Sequence, residues 1–223
     1  MASLISLLQK GYLPRELPPS FSAQSFGSFA VAHGNGWPSG KWTRCAQHNL
    51  ARPGGLRRVL RLPNPVTYFH LARLVSSNWQ TLRQHTWNVR LSASRPSQIT
   101  AGGRPIVPRY APSELPRLRS LRRRGARYIL RTDINQFYPA LYTHSVPWAI
   151  HGKSMCKAAL NTPKKGGHLT GNKLDKALRE LNDGQTHGIP IGPDISLLVA
   201  EALLAATDRE LLQRCAGLVR GFR

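Results

Sequence analysis

Apolar residues recur at helical spacing in three stretches of the chain. Tyr68, Leu71, Ala72, Val75 and Trp79 form one stripe, and Leu174, Leu178 and Leu181 form another. Ile195, Leu198, Val199, Ala202, Leu203 and Ala206 form the longest. Local punctuation bounds each one. Asn64-Pro65 reads as an N-cap followed by a first helical residue, which predicts a helix to about Trp79. Asn172 with Asp175 three residues on reads as the cap of a helix ending at Gly184, and a last helix is expected from about Asp194 to Leu212. A short helix over Leu4 to Gln9 stops at Gly11.

Between these stripes the pattern changes. Pro14 to Pro19 reads as an extended link, and the Ser/Gly-rich run from Ser20 to Gly40 as loop. His48 to Arg52 and Leu56 to Leu62 flank Pro53-Gly54-Gly55, a hairpin whose glycines supply positive φ at the turn. Residues Ser92 to Arg109 are broken by Pro and Gly and predicted irregular. The β-prone run Tyr128 to Asp133 predicts a strand ending before Pro139, and Lys164-Lys165-Gly166-Gly167 a loop.

Charge changes the picture most. The 223 residues carry 32 Lys and Arg against 10 Asp and Glu, a net of +22, with Arg well in excess of Lys. Such an imbalance implies a polyanionic partner, and the guanidinium fork favours bidentate phosphate contact. No segment is apolar for long enough to span a bilayer, which leaves nucleic acid as the better polyanion and membrane out of the expected partners. Cys45, Cys156 and Cys215 lie far apart, which argues against a disulfide framework or zinc knuckle and fits a reducing cytoplasm. The N-terminal Met-Ala-Ser-Leu-Ile-Ser has no basic region and does not read as a secretory signal.

Candidate chemistry concentrates in two places. Asp133 closes its expected strand, where a carboxylate and the backbone carbonyl of Ile134 offer hard oxygen ligands suited to Mg²⁺; an Asp there is also a common turn residue. The run Arg117, Arg119, Arg122, Arg123, Arg124 and Arg127 reads as a phosphate track or as a solvated face, and scarce carboxylates favour the former. The histidines show no ligand spacing, and Ser and Cys show no nucleophile–base arrangement.

The stretch Thr132-Asp-Ile-Asn-Gln-Phe-Tyr138 resembles the first palm motif of reverse transcriptases. Gly188-Ile-Pro-Ile-Gly-Pro-Asp-Ile-Ser196 resembles their second, Gly-x-Pro-x-Gly ahead of a helix. Arg57-Arg-Val-Leu-Arg-Leu-Pro63 is similar to the basic fingers strand, and the segments Lys10 to Phe21 and Tyr142 to Lys153 look like the phage-defence and abortive-infection group of bacterial enzymes. The resemblance implies an RNA-directed DNA polymerase in a bacterial cytoplasm, with a role in antiviral defence. It would join a dNTP to a primer 3′-OH on an RNA template, with a DNA or RNA primer and with Mg²⁺ or Mn²⁺. Asp133 then matches a catalytic metal ligand, with Ile134 beside it. Arg58, Phe137, Tyr138, Gly188, Pro190, Ile191 and Gly192 match the dNTP pocket, and Tyr138 would exclude a ribose 2′-OH unless it is simply a core tyrosine. Ile191 stands where many viral relatives carry Gln. Arg57, Arg61, Arg122, Arg123 and Arg124 match nucleic-acid contacts.

The implied fold is α/β (α+β): fingers and partial palm of a right-hand polymerase, with an antiparallel palm sheet packed on helices. It would divide into a lead segment (1–47), fingers (48–126) and partial palm (127–223). The family's aromatic-x-Asp-Asp motif does not occur before Arg223, so the chain reads as a fragment inactive by itself. An exposed strand edge and an uncovered apolar face on the last helix are expected. The alternative is a non-catalytic, basic nucleic-acid-binding remnant of the same scaffold.

Overall fold

The computed structural model describes residues 2–87, 91–97, 103–162 and 167–215. Helix α1 (Leu4–Gln9) starts at Ser3, whose hydroxyl accepts the Ser6 N–H. The Ser/Gly-rich run that follows is not loop throughout: it contains α2 (Gln24–His33) and a 3-10 turn over Gly34–Gly36. The helix escapes an apolar-stripe reading because its buried contacts are made by the small residues Gly27 and Ala30. A Cβ on Gly27 would lie 2.3 Å from Gln9 Cγ, so the absent side chain is what lets α2 close onto α1.

The hairpin forms as predicted. Strands β1 (Ala46–Ala51) and β2 (Arg57–Leu62) pair antiparallel from Ala46↔Leu62 to Ala51↔Arg57, and the turn places Gly54 and Gly55 at φ +79° and +74°. Asn64 then caps α3 (Pro65–Ser77), its Oδ1 accepting the Val66 N–H at 2.9 Å. The helix expected to about Trp79 thus ends at Ser77, and a further helix that was not expected follows it. Asn78 turns its amide back onto the Leu74 carbonyl at 2.8 Å, and α4 (Trp79–Trp87) restarts beyond it. In the region predicted irregular, β3 (Pro96–Ser97) and β4 (Val107–Pro108) make a second small antiparallel pair.

Helix α5 (Leu115–Arg123) carries the basic run and buries no residue. The strand expected over Tyr128 to Asp133 does not form: Tyr128 and Leu130 are 81% and 90% exposed, and the backbone is irregular to Gln136. β propensity is realised only against a partner strand, and none lies alongside among the described residues. The chain turns inward at Gln136 (φ +49°) into α6 (Phe137–Ala140), followed by α7 (Ser145–His151) and α8 (Lys153–Leu160). The loop expected at Lys164 to Gly166 lies outside the described residues.

Helix α9 (Thr170–Glu180) begins two residues before the expected cap. Asp175 does not cap it; its buried Oδ2 meets His144 Nδ1 at 2.7 Å and Arg179 Nε at 3.5 Å. Leu174, Leu178 and Leu181 are buried as their spacing predicts. The last helix, α10 (Asp194–Arg214), is continuous over 21 residues. Its face is covered through Ile195, Leu198, Val199 and Ala202, while Leu211 and Leu212 stay exposed.

Taken together the protein is a mixed α+β structure of helices with two small antiparallel sheets. Leu7, Leu8, Tyr68, Leu71, Trp79, Leu141, Leu174, Leu178, Ile195 and Leu198 share one core, each buried large side chain contributing about 1.5–3 kcal/mol. Among the described residues no helix is long and apolar enough to cross a membrane. All three cysteines are free thiols.

Candidate nucleotide cleft

Four backbone hydrogen bonds assemble the candidate site. The segment 138–143 runs antiparallel to 186–189: Ile189 N–H donates to Tyr138 O at 3.0 Å, Gly188 N–H to Leu141 O at 2.8 Å, and Thr143 N–H to Thr186 O at 2.8 Å. Tyr142 and His187 make the bridge between them. On the other side, Arg61 N–H on β2 donates to Ile191 O at 2.9 Å. The turn 188–192 is thus held between the hairpin and the segment carrying Phe137 and Tyr138.

Glycine is required twice in that turn. Gly188 takes φ +86° with the Pro139 carbonyl 3.1 Å from where a Cβ would sit, and Gly192 takes φ +134° with Pro14 Cγ at 2.3 Å. Gly188, Ile189 and Pro190 are buried, while Ile191 and Gly192 are half-buried.

Side chains follow from strand alternation. Arg58 lies on the same face of β2 as the buried Leu60 and pairs with Glu16 at 3.6 Å. Both partners keep about a third of their surface in water (36% and 30%), so the pair is weakly held and an incoming anion can displace Glu16. Tyr138 packs against the core, with its ring edge-on to Phe137 at 5.9 Å. Burial raises the Tyr138 phenol above its ordinary pKa, the Glu201 carboxylate adds to the rise and Arg58 opposes it. One carboxylate, Glu201, and one cation, Arg58, therefore act on the phenol with opposite sign.

Arg61 is more committed. Its Nη1 donates to Asn182 Oδ1 at 2.9 Å, and Asn182 in turn donates to His187 O at 2.8 Å, which ties the hairpin to the turn after α9. Arg57 faces solvent. Arg122, Arg123 and Arg124 sit at the end of α5, outside this assembly.

Asp133 stands apart as well. It is exposed, and Oδ1 accepts the N–H of its own neighbour Ile134 at 2.9 Å, a local turn contact. No group of three or more His, Cys, Asp or Glu side chains among the described residues could hold a metal ion. A two-ion clamp needs several carboxylates around ions roughly 3.5–4 Å apart, and the described residues do not fit one. Asp133 and the Ile134 carbonyl offer one carboxylate and one backbone oxygen, which falls short of such a clamp.

Sequence reasoning missed the carboxylates that shape the cleft. Asp194 reads as a helix start, but its side chain is 3% exposed. It receives Arg104 Nε at 2.7 Å and the Ile106 N–H at 3.3 Å, while its own N–H donates to Gly11 O at 2.8 Å. Burial raises its pKa, and Arg104 opposes the rise. This buried pair fixes the start of α10, and so the exit of the 188–192 turn, against the segment after α1. Glu201 is buried in mid-α10 and accepts from Ser92 Oγ at 2.8 Å. The one sequence signal for either was a carboxylate on an apolar helix face. Neither protein-family models nor curated proteins yield a match to this chain.

Proposed function

We propose that this chain supplies the fingers and first palm segments of an RNA-directed DNA polymerase, with the surface where β2 meets the 188–192 turn receiving a dNTP. The observation that carries this reading is the closure of three distant segments on one another, Arg61 N–H onto Ile191 O and Ile189 N–H onto Tyr138 O. In this reading Arg58 leaves Glu16 to grip the triphosphate, and Tyr138 lies under the sugar with Phe137 behind it. Asp133 and the Ile134 carbonyl would give at most two of the oxygen ligands that Mg²⁺ or Mn²⁺ needs, with the remaining ligands supplied from outside the described residues. Template and primer would run along the basic surface of α5, and antiviral defence in a bacterial cytoplasm is the setting the motifs fit.

Titration of a fluorescent dNTP tests it. Losing one charge-assisted contact, Arg58→Ala should weaken binding about 5- to 100-fold, and Tyr138→Ala should narrow the preference for dNTP over rNTP. Absence of saturable dNTP binding, or an Arg58→Ala variant that binds as well as the parent, would sink the proposal.

A second reading, a non-catalytic nucleic-acid-binding remnant, is favoured by the irregular, exposed backbone at Tyr128 to Asp133 and by the isolation of that carboxylate. Sequencing the source DNA beyond codon 223 separates the two. An in-frame aromatic-x-Asp-Asp supports the polymerase; a stop codon supports the remnant.

A further inference from the structure

Away from the cleft, one tryptophan collects three cations. The guanidinium carbons of Arg83, Arg95 and Arg109 lie 4.7, 5.1 and 5.3 Å from the Trp87 ring. The local fold explains the convergence. Arg83 precedes Trp87 by four residues on α4, so both share a face. Arg95 and Arg109 are neighbours across the β3–β4 pairing, where Arg109 N–H donates to Arg95 O at 2.9 Å. Trp87 is fixed in turn by its indole N–H, which donates to Pro96 O at 2.7 Å.

Like charges gathered this closely repel, and cation–π contact offsets that only in part. Among the described residues neither Arg83 nor Arg109 has a carboxylate partner. Arg95 is buried beneath them, Arg83 is half-buried and Arg109 is exposed. Stacking on an indole holds the guanidinium planes in place, so their N–H edges are pre-organised for an anion.

The patch continues. Arg109 also lies 5.4 Å from the Tyr110 ring, and its hydrogen bond, with added help from Arg95 and Arg122, holds the Tyr110 hydroxyl below its ordinary pKa. Arg122 belongs to α5. There an open concavity of ≈ 660 Å³ is lined by Arg119, Arg123, Arg124 and Arg131 and by no carboxylate. Close by in sequence is Tyr128, 81% exposed, with Arg127 at 5.5 Å from its ring.

We propose that the face running from Trp87 with Arg83 and Arg109, past Tyr110, to the arginine-lined concavity on α5 is a binding track for single-stranded nucleic acid, separate from the dNTP cleft. Phosphates meet the arginine edges, and unpaired bases stack on the aromatic and guanidinium planes. Alternating cations and flat rings suit an unpaired strand, because every base offers a π face to stack. A duplex would use the cations and leave the rings idle. The track does not depend on the polymerase reading.

Fluorescence anisotropy with a labelled single-stranded 20-mer, and with its duplex, across a KCl series tests the proposal. Arg83→Ala/Arg109→Ala should weaken single-strand binding at least about tenfold and reduce the salt slope by roughly 1.4, two phosphates at about 0.7 each. Arg83→Lys/Arg109→Lys should keep the slope yet lose affinity, because charge remains and planar stacking is gone. Tyr110→Ala should cost about 5- to 150-fold for single strands alone. Arg58→Ala should leave oligonucleotide affinity unchanged, and the Arg83/Arg109 variants should leave dNTP binding unchanged, so the two readings fail separately. Unchanged affinity in the double-alanine variant, with its thermal melt intact, overturns the proposal. So does parallel loss for duplex and single strand, or binding to phosphatidylserine vesicles in preference to the oligonucleotide.

Discussion

Replacing Gly192 by alanine probes how the turn of the cleft is held. The residue sits at φ +134°, and an added Cβ would lie 2.3 Å from Pro14 Cγ and 2.8 Å from Pro14 Cβ. Two costs act together. Strain at such a backbone position is about 1–3 kcal/mol. Crowding of the buried Pro14 ring adds about 1–3 kcal/mol, because a ring cannot swing aside as a flexible side chain would. Gly192→Ala should therefore destabilise by about 2–6 kcal/mol. In urea unfolding followed by far-UV circular dichroism, with a slope of about 2 kcal/mol/M, the midpoint should fall by about 1–3 M. A Pro14→Gly background divides the two costs, since it removes the ring and leaves φ unchanged. There Gly192→Ala should cost about 1–3 kcal/mol less, and the difference is the coupling energy of the contact. Equal cost in both backgrounds would refute the close approach of Pro14 to the turn. No cost in either would refute the turn itself.

Two further outcomes follow from buried charge. Asp194→Ala leaves the Arg104 guanidinium and the Ile106 N–H without their acceptor, and should cost about 3–5 kcal/mol. The 21% exposure of the Arg104 side chain sets the value near the lower end, and Asp194→Leu with Arg104→Met should recover most of it. Loss below about 1 kcal/mol in the single variant would mean the pair does not anchor α10. His85 supplies a pH dependence: burial first, then Arg209, push its pKa down from 6.5 to about 4, and its Nε2 lies 3.0 Å from an Arg209 nitrogen as an acceptor. The unfolded chain takes up this proton first, so stability is full above pH 6.5 and is lost as pH falls from there through about 4. Urea melts between pH 7 and 4 should show that decline flattened in His85→Gln, which keeps an acceptor without titrating; an unchanged decline would assign it to other groups.

Local chemistry made several elements legible in advance. Pro53-Gly54-Gly55 between two β-prone runs specified the hairpin, Asn64-Pro65 the start of α3, and the stripe from Ile195 to Ala206 the long α10. The candidate cleft was legible in part. Arg58, Tyr138, Gly188 and Gly192 were identified as members of one site, and the structure brings β2, Tyr138 and the 188–192 turn together. Glu16, Asp194 and Glu201 were not identified, because a carboxylate's burial depends on what remote segments lay over it. Trp87 and Arg83 come from α4, whereas Arg95 and Arg109 flank the two strands of a β pair, a cluster with no signature along the chain.

Tertiary structure alone decided the rest. Helix α2 exists because Gly27 can close against Gln9, which no apolar stripe announces. Helix α4 follows directly on α3, where Asn78 turns its amide onto the Leu74 carbonyl, and was not expected from the sequence. The run Tyr128 to Asp133 carries strand-forming residues and stays irregular. The physical reason is the range of the hydrogen bonds involved. A helix or tight turn satisfies its backbone groups within about four residues, so its sequence holds the whole condition for forming. A strand, a buried carboxylate or a cation cluster needs partners that only the folded chain supplies.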